Sequence, residues 1–313
     1  MKALKIVFMG TPDFALISLD KLIKNGYIIN TVITQPDRPK GRGKKVQQPP
    51  VKELALKAGI DVLQPERVKD PEFIKALKDL RPDIIIVVAY GQILPEEIIK
   101  MPPLGCINVH ASLLPKLRGA APINWCIING ESRTGITTMY MDRGMDTGDI
   151  LLQRATGIGD HETAGQLHDR LSALGADLLT ETLKGIEKCS VARKAQDHSV
   201  ATYAPQLNRE TGRVDWSKDA QSIYNLIRGT NPWPGCYTRY RQQRMKLWGA
   251  KVLDEDSSGT PGEIAKATAG GLVVQTGRGR LLLTEVQMPS SRRMTVDEYI
   301  RGNLVKTGCV LGE

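Results

Sequence analysis

The chain reads as an α/β protein: a doubly wound, mostly parallel sheet followed by a small β-barrel. Three observations predict this. Before Lys188, short runs of β-branched residues alternate with helical periodicity, as in successive βα units. Beyond Leu207, short strands follow one another between glycine-rich turns, the pattern of a small antiparallel barrel. Between the two the periodicity fades through 190–206, which reads as a linker. The expected division is therefore 1–189, 190–206 and 207–313, and 313 residues with 41% hydrophobic content can fill two cores.

Leu4–Met9 forms the first expected strand, Gly10 permits a turn, and Pro12-Asp13 opens a helix carrying Leu16, Leu19, Leu22 and Ile23. Ile28–Thr34 and Ile84–Ala89 are further strands, with helices expected over Val51–Ala58 and Pro71–Leu80 between them. Gly10-Thr11-Pro12 lacks the G-x-G-x-x-G that lets a backbone approach a pyrophosphate, which argues against a nicotinamide enzyme. Tyr90-Gly91-Gln92-Ile93-Leu94 leaves a strand through a glycine, where an open sheet binds its ligand or simply turns into a helix.

Gly105–His110 is the next strand, and alternation puts Asn108 and His110 on one face at its polar end. About thirty-five residues on, a loop with Asp142, Asp146 and Asp149 can supply an acid. An amide, an imidazole and a carboxylate suit acyl-type transfer without a Ser or Cys nucleophile. By spacing alone, Asn-x-His at a strand end is more often a turn or capping device than a catalytic pair. Thr163–Leu183 repeats leucine at helical intervals, while His161 and His168 lack any ligand or nucleophile context and read as structural. Ser217 is expected to cap a helix through Ala220, Ile223 and Ile227, and Pro232-Trp233-Pro234-Gly235 to form a rigid turn. Strands over 244–252, 262–265, 272–276 and 280–286 complete the barrel.

The net charge of +9 points to a polyanionic partner without naming it. Arg38, Lys40, Arg42, Lys44 and Lys45 crowd eight residues containing two glycines and no acid, which is either a solvated loop or a nucleic-acid contact. The segment from Leu207 onward holds 16 Lys+Arg against 11 Asp+Glu, with Arg292-Arg293 its best cluster. Five dispersed cysteines without Cys-x-x-Cys indicate neither disulfides nor zinc, and a reducing cytoplasm is the expected setting. The N-terminal apolar run is too short for a signal peptide, and Ile84–Ala89 is far below the roughly twenty residues of a membrane span, so no membrane partner is expected.

Gly10-Thr11-Pro12-Asp13-Phe14, Asn108-Val109-His110, Ser112-Leu113-Leu114-Pro115, Asp142–Asp149, Asn231–Gly235 and Arg292-Arg293-Met294, in this order, resemble the folate-dependent formyltransferases over nearly the whole chain. The resemblance implies a Rossmann-like formyltransferase domain, an OB-like barrel, 10-formyltetrahydrofolate as co-substrate and no metal. It makes Asn108, His110 and Asp146 catalytic. It assigns the folate to Tyr90, Gly91, Gln92, Ile93, Leu94, Ser112, Leu113, Leu114, Pro115 and Asp142. The basic loop matches the tRNA-acting branch, so initiator methionyl-tRNA is the expected acceptor, contacted by Arg38, Lys40, Arg42, Lys44, Lys45, Arg292 and Arg293, with no obligatory protein partner. The alternatives are an amino sugar nucleotide or purine precursor as acceptor, or an RNA-binding protein with a dead site. Leu117 departs from the aromatic residue common in relatives.

Overall fold

Five residues, Ile6–Gly10 (β1), are buried along their whole length, as a parallel strand covered on both faces must be. The computed structural model describes residues 4–40, 45–254 and 258–312. Asp13–Lys24 (α1), Ile29–Ile33 (β2), Arg38–Lys40 (β3), Lys45–Gln47 (β4), Pro50–Lys57 (α2), Asp61–Leu63 (β5), Pro71–Asp79 (α3) and Ile84–Val88 (β6) follow. Glu96–Ile99 (α4), Cys106–His110 (β7), Pro122–Ile128 (α5), Arg133–Tyr140 (β8), Ile150–Gly157 (β9) and Ala164–Glu187 (α6) come next. A seven-stranded sheet runs β5-β2-β1-β6-β7-β8-β9, parallel from β5 to β7 and antiparallel between β7 and β8. The chain moves outward from β1 to β5, then returns to β6, so the strand order reverses between β1 and β6. That reversal opens a crevice at the strands' carboxyl ends.

Gly10 is required there: a Cβ would lie 2.7 Å from the Ala15 Cβ and 2.8 Å from the Phe8 ring, preventing α1 from packing close behind β1. Val7, Met9, Ile33, Ile85 and Val87 join Phe73, Leu77 and Ile98 in one core, each buried aliphatic side chain contributing about 1.5–3 kcal/mol of transfer free energy. The two histidines serve structure: His168 meets Phe14 edge-on, and His161 Nδ1 lies 2.7 Å from the Tyr224 hydroxyl.

Two compact units emerge. The first comprises Met1–Gly119, Thr134–Thr156 and His168–Tyr203; the second comprises Ala120–Arg133, Gly157–Leu167 and Ala204–Glu313. In the second, Ala220–Gly229 (α7) precedes Cys236–Tyr240 (β10), Gln243–Leu253 (β11), Ile264–Thr268 (β12), Gly271–Gln275 (β13), Arg280–Gln287 (β14), Met294–Thr295 (β15) and Val296–Gly302 (α8). Its antiparallel sheet runs β10-β11-β14-β13-β12, with β15 beside β14. The register of β11 on β14 shifts between Leu247 and Ala250, the kind of irregularity that bends a long strand around its core. Leu247, Leu272, Val274, Leu281, Leu283 and Val286 fill that core with Trp216, whose indole donates to Thr238 Oγ1 at 3.0 Å.

Ser217 does not cap α7. Asp219 does, accepting from Ser222 N at 2.9 Å, because Ser217 is drawn to Asp215 Oδ1 at 2.6 Å. The strand β10 directly after Gly235 was hidden by the Pro-Trp-Pro-Gly turn, and α8 begins with a Thr295/Glu298 capping box. Among the described residues no helix is long and apolar enough to cross a membrane.

Candidate active site

The alternation along β7 delivers Asn108 and His110 to one face, as the sequence predicts, and the loop after β8 brings Asp146 to both. Asn108 Nδ2 stands 3.4 Å from Asp146 Oδ1, and His110 Nδ1 stands 3.6 Å from Asp146 Oδ2. The second distance is that of an ion pair, too long for a hydrogen bond. His110 is only 6% exposed. Its Nε2 lies 2.9 Å from the Leu117 carbonyl, which can only accept, so Nε2 carries a proton. Asp146 Oδ2 also accepts from Gly119 N at 2.8 Å. Residues 117–119 thus hold both the imidazole and the carboxylate.

Leu117 performs this through its backbone. Its φ is 58°, its amide donates to Thr202 Oγ1 at 2.9 Å, and its side chain is buried. Thr202 belongs to 190–206, the stretch that reads as a linker. There Lys194 exchanges backbone hydrogen bonds with Ile150, and Thr202 O accepts from Arg118 N at 2.9 Å. The stretch is part of the site's scaffold.

The loop of Asp146 has little room. A Cβ on Gly148 would lie 1.9 Å from the Tyr140 carbonyl oxygen, a backbone atom that cannot give way cheaply. Gly148→Ala should therefore shift the Asp146 loop, lowering stability by about 1–3 kcal/mol as local strain does. Thermal unfolding together with turnover checks this, and an unchanged melting temperature would show the loop to be compliant.

The residues assigned to folate divide in two. Tyr90 is 2% exposed and packs into the core beside Leu94 and Ile98, so it offers the crevice only its backbone; burial also raises its phenol pKa. Gln92 holds the preceding loop, accepting from Val68 N at 3.0 Å and donating to Glu66 O at 3.2 Å. Leu114 is buried with Met139 and Ile150, and Ser112 Oγ donates to Lys116 O at 2.6 Å. Thr137, to which no sequence signal points, organises this turn by donating to Ser112 O at 2.7 Å and accepting from Leu114 N at 3.1 Å. Leu113 and Pro115 are half-buried, Gly91 is exposed with φ 94°, and Ile93 projects into solvent at 77% exposure. Asp142 closes its own loop, accepting from Gly144 N at 3.0 Å and Thr147 Oγ1 at 2.5 Å.

Of the basic residues read as a loop, Arg38–Lys40 pairs antiparallel with Lys45–Gln47. Arg42 and Lys44, in the 41–44 segment between these strands, lie outside the described residues. The hairpin base is pinned: Lys52 Nζ donates to Asp37 Oδ2 at 2.8 Å and Gln64 Nε2 to Asp37 Oδ1 at 2.7 Å. Those bonds, Gln64's first and Lys52's next, hold the Asp37 carboxyl below its usual pKa. In the second unit Arg292 bonds Glu298 Oε1 at 2.7 Å, and Arg293 is paired with Glu285. The charges of both are already engaged. Among the described residues, no group of three His, Cys, Asp or Glu side chains gathers to hold a metal.

Residues 4–183 match the formyl transferase model and residues 206–304 match the formyl transferase C-terminal domain model. The methionyl-tRNA formyltransferase of Acetivibrio thermocellus is 57% identical over 99% of this chain and 100% of its own. That of Clostridioides difficile is 54% identical over the same shares. Among solved structures, a sugar 3N-formyl transferase crystallised with dTDP and 5-N-formyl-THF superposes with a TM-score of 0.69 at 19% identity, covering 93% of this chain and 100% of that one. The N-formyltransferase of Helicobacter canadensis, complexed with folinic acid and dTDP-3-aminofucose, gives 0.67 at 20% identity over 91% and 99%. With both of its parts matched in order and relatives this similar along its full length, the chain belongs to the formyl transferase family.

Proposed function

We propose that the chain transfers a formyl group from 10-formyltetrahydrofolate to the α-amino group of methionine carried on initiator tRNA. The observation that carries this reading is the convergence of Asn108, His110 and Asp146 within 3.6 Å, in a chain whose nearly full-length relatives are named for that acceptor. The crevice fits the folate: the Gln35 amide nitrogen is buried beside Gly91 without a hydrogen-bond partner among the described residues, and Ile93 offers an apolar face. Backbone groups of 90–94 and the 112–115 turn would hold it. Bound there, folate supplies an electrophilic formyl carbon.

Attack by the acceptor amine puts negative charge on the formyl oxygen. Asn108 Nδ2 donates a hydrogen bond to that oxygen, and the His110 imidazolium stabilises it by charge at short range. Asp146 sustains the imidazolium and takes the proton released by the amine, directly or through one water; collapse of the tetrahedral adduct then breaks the bond between the formyl carbon and the folate N10, which takes up that proton and leaves as tetrahydrofolate. Hydrogen bonds at such sites tighten when substrate arrives, which accommodates the 3.4 and 3.6 Å separations seen here. The same reading assigns 1–189 to catalysis, 190–206 to the connection and 207–313 to tRNA binding. The enzyme acts in the cytoplasm without an obligatory protein partner; its free cysteines suit a reducing compartment.

The deciding experiment mixes purified protein with 10-formyltetrahydrofolate and, separately, methionyl-tRNA, an amino sugar nucleotide and a purine precursor. Formyl-methionyl-tRNA is the expected product, and formylation of the sugar nucleotide alone would overturn the assignment. For the donor site, Ile93→Asp with Gln92→Ala should weaken folate binding about tenfold, equivalent to about 1.4 kcal/mol, and leave tRNA affinity unchanged. Calorimetry on each ligand separates the two, and equal losses would place the defect elsewhere.

A further inference from the structure

Gln196 lies in the stretch that links the two halves of the sequence, yet it is only 7% exposed and all its amide valences are used. Its Nε2 donates to the carbonyls of Asp146 at 2.9 Å and Gly148 at 2.7 Å. Its Oε1 accepts from Arg118 Nε at 3.2 Å and Nη2 at 2.7 Å. Arg118 is itself buried at 2% exposure, and its Nη2 also meets His198 Nδ1 at 3.1 Å. One primary amide thus bridges the loop of the candidate acid to a buried guanidinium directly before Gly119, whose amide binds the same acid.

The bridge has something to hold. Asp146 sits at φ 54°, left-handed backbone that costs a non-glycine residue about 1–2 kcal/mol, and such conformations persist only where surrounding contacts over-determine them. The Gln196 bonds grip the carbonyls on both sides of Thr147, fixing the peptide planes from which the Asp146 side chain departs. Only a neutral amide does both jobs, since one end must donate to two carbonyls while the other accepts from a cation.

We infer that Gln196 is a positioning residue: it sets the orientation of the Asp146 carboxylate toward Asn108 and His110 and touches neither substrate. This rests on the reading of Asp146 as a catalytic group, and the test separates the two. Four proteins are compared in steady-state formylation of methionyl-tRNA: wild type, Gln196→Glu, Asp146→Ala and the double variant. Gln196→Glu is isosteric and keeps the acceptor facing Arg118, but it loses the donors facing the carbonyls; thermal unfolding verifies that it folds. Its kcat is expected to fall at least tenfold while KM for both substrates stays within about twofold, and in the Asp146→Ala background it should cost nothing further. A Gln196→Glu kcat equal to wild type, or losses that multiply in the double variant, would overturn the inference and leave Gln196 as a partner of Arg118 only. If Asp146→Ala itself keeps wild-type turnover, the catalytic reading fails and this inference falls with it. Should Gln196→Glu not fold, Gln196→Met in the same cycle removes the donors without placing a charge, and the same outcomes decide.

Discussion

Replacing His110 with alanine should lower turnover by about 10² or more, as removal of a group acting on the transition state does. The expectation follows from its surroundings. The ring is buried, its Nε2 is bound to the Leu117 carbonyl, and its Nδ1 faces a carboxylate at 3.6 Å. Such a ring is held on both nitrogens beside the charge that, in the proposed reaction, forms and vanishes on the formyl oxygen. Asn108→Ala and Asp146→Ala should each fall in the same range, through loss of the oxyanion donor and of the proton acceptor. Because the three act as a unit, the triple variant should be little worse than the worst single one. Stopped-time formylation at saturating substrates reads this directly, with thermal unfolding as the control. Near-normal turnover of an intact His110→Ala protein would remove the imidazole from the mechanism.

The second large effect should come from the basic hairpin. Neutralising Arg42, Lys44 and Lys45 together should weaken tRNA binding by more than about tenfold and flatten the dependence of log affinity on log salt by roughly 0.7 to 0.9 for each phosphate that is no longer neutralised. Arg42 is the favoured contact, since a guanidinium engages phosphate in bidentate fashion where a lysine acts as a point charge. The anchorage of the hairpin supports this role. Lys52 and Gln64 fix Asp37, directly before the Arg38–Lys40 strand that pairs with Lys45–Gln47. Folate affinity should not change. A wild-type salt slope and specificity constant in the triple variant would reduce the hairpin to a solvated surface and strengthen the amino sugar alternative.

What the sequence disclosed of this fold depended on periodicity. The buried runs Ile6–Gly10 and Ile84–Val88 and the leucine repeat of α6 carry their period in plain view, and they became strands and a helix within a few residues of their expected ends. Asn108 and His110 were legible because a period of two fixes their common face, whatever the tertiary contacts. Gln196 and Thr202 were not. Their segment has no period to bury, only single side chains meeting backbone atoms far away in sequence, and such contacts leave no local trace. The helix α8 could have been found: Thr295 and Glu298 stand at capping-box spacing. For Arg292-Arg293 the sequence shows a basic pair but not its partners, since nothing local signals that Glu298 and Glu285 will engage it.

The second unit is assembled from segments that leave the ribosome at very different times. Asn124 on α5 donates to the Gly229 carbonyl at the end of α7 across 105 residues of chain, and a Cβ on Gly229 would lie 2.6 Å from Ile128, so the two helices meet with no space to spare. At synthesis rates of about 5–20 residues per second, α5 waits roughly 5 to 20 s for its partner to be made. During that interval the sheet strands from β1 to β7 already exist in full, while Asn124 on α5 has no Gly229 carbonyl to donate to. The order of translation therefore makes the strand of Asn108 and His110 an early product and the α5–α7 contact a late one.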